Sequence, residues 1–131
     1  MRRLIAFACE GETLVGTLDA AGGRTGFLIV SGGNEIRIGA HRGMTMLAQA
    51  VAQAGYPVFR FDRRGVGDST GANHGFRSSA PDIAAAIGCF REEQPQIERL
   101  VAFGNCDAAS ALALFDRAPI DTLLLANPWI G

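Results

Sequence analysis

A chain of 131 residues, 48 % of them hydrophobic, is long enough for one globular unit and too short for two of ordinary size. Its formal net charge of −1, with acids and bases scattered along the sequence, provides no field to attract nucleic acid or an anionic membrane surface. Three cysteines, Cys9, Cys89 and Cys106, fit free thiols in a reducing compartment better than a disulfide framework.

The opening "MRRLIAFACEGE" has two arginines, but its apolar stretch spans only Leu4 to Cys9, below the roughly 7–15 residues of a signal-peptide core. No run approaches the ~18 apolar residues of a membrane span. The expectation is a soluble cytoplasmic domain with neither membrane nor nucleic acid as partner.

Leu4–Ala8 and Leu14–Leu18, joined by "CEGET", predict an antiparallel hairpin, because Glu-Gly suits the turn and the connection is too short for a crossover. Phe27–Val30 is apolar at every position, as in a strand covered on both faces. Met44–Ala54 places Met44, Leu47, Ala48, Val51 and Ala52 at helical spacing, with Gly55 as the stop. Tyr56–Phe61 is a further strand. The next helix has Ser79 as its expected N-cap and Pro81 and Asp82 in its first turn. A strand at Leu100–Phe103, a helix at Cys106–Phe115 and a strand at Thr122–Ala126 complete the series. This order predicts a single α/β domain over residues 1–131, in which an antiparallel hairpin leads into a mostly parallel sheet with helices on both faces. An α/β-hydrolase fold begins in this way, and here the sequence stops after the sixth strand.

In such folds the nucleophile occupies a tight strand-to-helix turn within Gly-x-nucleophile-x-Gly, where small neighbours let the two backbones approach. "Gly104-Asn105-Cys106-Asp107-Ala108" follows a predicted strand and opens a predicted helix, with Ala108 in place of the second glycine. Cys106 is therefore the candidate nucleophile. A helix N-terminus lowers a thiol's pKa, and the backbone N–H of Asp107 suits one side of an oxyanion hole, although the Asp107 carboxylate opposes thiolate formation. The competing reading of Cys106 is a small buried hydrophobe. A second oxyanion donor belongs on the loop "SGGNE", where Gly33 or Asn34 could supply it; Gly33 is the choice.

"FDRRGVGDSTG" has Gly65-x-Gly67 without the third glycine of a dinucleotide site, and the chain contains no lysine for a P-loop. Asp62, Arg63 and Arg64 read as structural ions. His41 and His74, the only histidines, both precede Cys106, whereas the hydrolase order is nucleophile, acid, histidine. No cysteine or histidine pair has metal-ligand spacing, so neither metal nor cofactor is expected.

With "SGGNEIRIGAHRG", "FRFDRRGVGDSTG", "SSAPDIAAAI" and "VAFGNCDAASALALF", the chain resembles the α/β-hydrolase family called exosortase A system-associated hydrolase 1 over essentially all its length. Dienelactone hydrolases, which also use a cysteine at this turn, are a looser likeness. The resemblance implies a bacterial hydrolase associated with exopolysaccharide and protein sorting, with Cys106 as nucleophile and Gly33 and Asp107 around the oxyanion. Members of that family continue through a cap region to a late acid and a late histidine. Here no histidine follows Cys106, and Asp107, Asp116 and Asp121, the only acids after it, come too early for the usual triad acid. The expectation is the front half of an ester or thioester hydrolase, with a small-molecule substrate. The alternative is a non-catalytic binding or assembly module on the same sheet. In either case Thr122–Ala126 becomes an apolar edge strand open to self-association.

Overall fold

A computed structural model of the chain describes residues 2–30, 43–63, 69–71, 76–105 and 120–126. The first two strands, β1 (Arg2–Cys9) and β2 (Glu12–Asp19), form the expected hairpin, and each is longer than its apolar run. They pair in unbroken register from Cys9 with Glu12 to Arg2 with Asp19. Glu10 and Gly11 make the two-residue turn with φ of 51° and 81°, the doubly left-handed geometry whose twist suits a tight hairpin.

β3 (Thr25–Val30), β4 (Val58–Asp62), β5 (Arg99–Asn105) and β6 (Thr122–Ala126) follow. β3 pairs in parallel with both β4 and β5, and β5 pairs in parallel with β6. β2 joins the hairpin to β4 in antiparallel fashion, giving the order β1-β2-β4-β3-β5-β6. β4 begins at Val58, two residues later than its β-rich run suggested. Pro57 has no N–H for a ladder and contributes only its carbonyl, which accepts from Phe27 N–H at 2.9 Å.

Helix α1 (Gly43–Gln53) lies on one face and α2 (Phe76–Glu93) on the other. Strand alternation divides the apolar residues between them. Leu18, Leu28, Val30, Phe59, Phe61, Leu100 and Ala102 pack with Ile83, Ile87 and Phe90 of α2. Ile29 and Val58 pack with Ala48 of α1, flanked by Phe27, Val51 and Phe103. Gly55, at φ 104°, closes the turn after α1 as anticipated.

α2 departs from expectation at its start. It begins at Phe76, so Ser79 is not its N-cap and Pro81 lies inside the helix. Proline there removes one backbone bond and crowds the preceding turn. Burial of Ile83, Ala86, Ile87 and Phe90 on a single face offsets that cost. The helix expected at Cys106–Phe115 lies outside the described residues.

α1 is fastened to the sheet by ions as well as by apolar contact. Arg60 of β4, 3 % exposed, donates from Nη1 to Thr45 Oγ1 at 3.2 Å, and its Nε lies 3.8 Å from Asp19 Oδ2. Arg2 donates from Nε to Asp19 Oδ1 at 2.6 Å and from Nη2 to the Thr45 carbonyl at 3.4 Å. Two arginines and one buried carboxylate thus hold the first turn of α1.

Candidate active site

The carboxyl ends of β3 and β5 lie side by side, with Ile29 opposite Phe103 and Val30 opposite Gly104. From this pair the chain proceeds in opposite directions along the sheet. β3 is followed by β4 on one side, whereas β5 is followed by β6 on the other. In open α/β sheets such a reversal leaves a crevice beyond the strand ends, and ligands bind there because two loops diverge around it. In sequence, "SGG" follows Val30 directly, and Cys106 and Asp107 follow Asn105 directly.

Cys106, Gly33 and Asp107 themselves lie outside the described residues, as do His41, His74 and Arg64. The described part of the site is its floor: Val30 (1 % exposed) and Gly104, both buried, at the end of a continuous ladder.

Several other ionisable groups are committed elsewhere. Asp121 Oδ2 accepts from Leu100 N–H at 2.7 Å and its own N–H donates to the Leu100 carbonyl at 2.9 Å. These contacts sit at the start of β5, the opposite end of the strand from Gly104, and remove Asp121 from any role beside the strand ends. Asp62 and Arg63 are buried at the end of β4. The Asp62 carbonyl accepts from Ser69 Oγ at 2.6 Å, and Ser69 Oγ accepts from Val15 N–H at 3.0 Å, so the chain returning after β4 is tied to β2.

The two described cysteines are unsuited to nucleophilic work. Cys9 is buried and donates from Sγ to Asp82 Oδ1 at 3.6 Å. Burial pushes the Cys89 thiol up to about 11, and Glu93 and Glu92 add to the rise against a smaller opposing effect of Arg3. Sequence reasoning did not anticipate the Asp19–Arg60 pair. The one available signal was a lone arginine inside the apolar run "YPVFRF".

An apolar groove of about 280 Å³, lined by Phe27, Ile29, Leu47, Val51, Val58, Phe103 and Leu124, opens on the α1 face. It lies under the helix, below the strand ends, and presents no polar group to orient a substrate. Among the described residues no group of three or more His, Cys, Asp or Glu could hold a metal, and no helix is long and apolar enough to cross a membrane.

No protein-family model matches the chain, and no curated protein matches it. Solved structures do. The α/β hydrolase GrgF from Penicillium sp. sh18 is similar at a TM-score of 0.80 and 25 % identity, over 98 % of this chain and 46 % of that one. An esterase of Pyrococcus furiosus gives a TM-score of 0.78 at 19 % identity, over 98 % of this chain and 49 % of the esterase. An α/β serine hydrolase without a lid from Xanthomonas campestris gives 0.67 at 22 % identity, over 85 % and 53 %. The fold is that of the α/β hydrolases, and the chain spans about half the length of these proteins.

Proposed function

We propose that residues 1–131 supply the sheet, the nucleophile turn and the oxyanion loop of an α/β-hydrolase-type acyl hydrolase acting on small esters or thioesters. The observation that carries this reading is the parallel pairing of Val30 with Gly104 at the point where β3 and β5 lead apart. A crevice at such a point brings the loop beginning "SGG" and the turn beginning with Cys106 to neighbouring strand ends. The hydrolase and esterase character of the similar structures supports the same class.

In this reading the Cys106 thiolate attacks the acyl carbonyl carbon, and the backbone N–H groups of Gly33 and Asp107 stabilise the oxyanion. The alcohol or thiol leaves with a proton as the acyl–sulfur bond is completed, and water then releases the acid and restores the thiol. A histidine beside Cys106 would carry these protons. Neither His41 nor His74 follows Cys106 in sequence, so the usual order places that base on polypeptide beyond these 131 residues. The association with exopolysaccharide and protein sorting and a cytoplasmic location belong to the same proposal.

The test is incubation of a full-length polypeptide, which carries the histidine as well as residues 1–131, with an activated thioester, followed by mass analysis of the peptide containing Cys106. An acyl adduct on Cys106, absent from Cys106→Ala, is expected. An unmodified Cys106 in a chain that binds the thioester would instead favour the non-catalytic binding module.

A further inference from the structure

We draw no further inference here: the strongest candidate, the apolar groove beside α1 lined by Phe27, Leu47, Val51, Phe103 and Leu124, carries nothing because nothing in the structure shows what covers it.

Discussion

Asp121 and Leu100 clasp each other through both main chain and side chain: the Asp121 N–H donates to the Leu100 carbonyl at 2.9 Å, and the Leu100 N–H donates to Asp121 Oδ2 at 2.7 Å. The clasp fixes where β6 begins against β5. Asp121→Ala leaves the amide of fully buried Leu100 without its carboxylate, and the expected loss is about 1–2 kcal/mol of stability in urea unfolding. Asp121→Asn keeps an acceptor oxygen and should recover most of the loss.

Gly16 of β2 tests how closely strand and aromatic ring approach. A Cβ built there falls against Cζ of Phe59, 2.7 Å from Cε1 of the same ring and 3.0 Å from the Arg60 carbonyl. Phe59 is fully buried and stacked on Phe90 with ring centroids 5.7 Å apart, so it cannot swing aside. Gly16→Ala should therefore destabilise by about 1–3 kcal/mol through overpacking, although alanine is otherwise the better strand residue. A midpoint of thermal unfolding equal to or above that of the parent would contradict this packing.

Cys89 makes stability depend on alkaline pH. Its thiol is raised from 9.0 to about 11 in the folded chain, so between those values the folded state holds a proton that the unfolded state has released. Stability present below pH 9 should decline as pH rises from 9 to about 11, and Cys89→Ala should flatten that decline. Alkylation of native Cys89 at pH 8 should be much slower than in denaturant. Equal rates in the two states would show that burial does not protect the thiol.

Six strands and two described helices were legible in the sequence because each carries a local signal, such as the Leu47, Ala48 and Val51 spacing of α1 or the Glu-Gly turn after β1. Their limits were less so. The ladder extends β1, β2, β3 and β5 beyond their apolar cores, since pairing with a neighbour recruits flanking polar residues such as Arg2 and Asp19. Apolar packing at Ile83 and Phe90 carries α2 through Pro81 against local preference. The placement of β4 between β2 and β3 depends on long-range pairing, for which no short stretch holds a signal. The same is true of Asp19 and Arg60, which meet across 41 positions of sequence, 19 to 60. For the candidate site, the motif residues were found by pattern, while the divergence of β3 and β5 emerged only from the strand order.

The ladder between β3 and β5 ends at Val30 and Gly104, and the residues assigned to chemistry begin beyond it. The paired strands and the residues proposed for chemistry are thus consecutive in sequence, and none of the latter belongs to a described rung of the sheet. A scaffold whose described rungs stop at the strand ends suits the grafting of other loops onto an unaltered pair of strands.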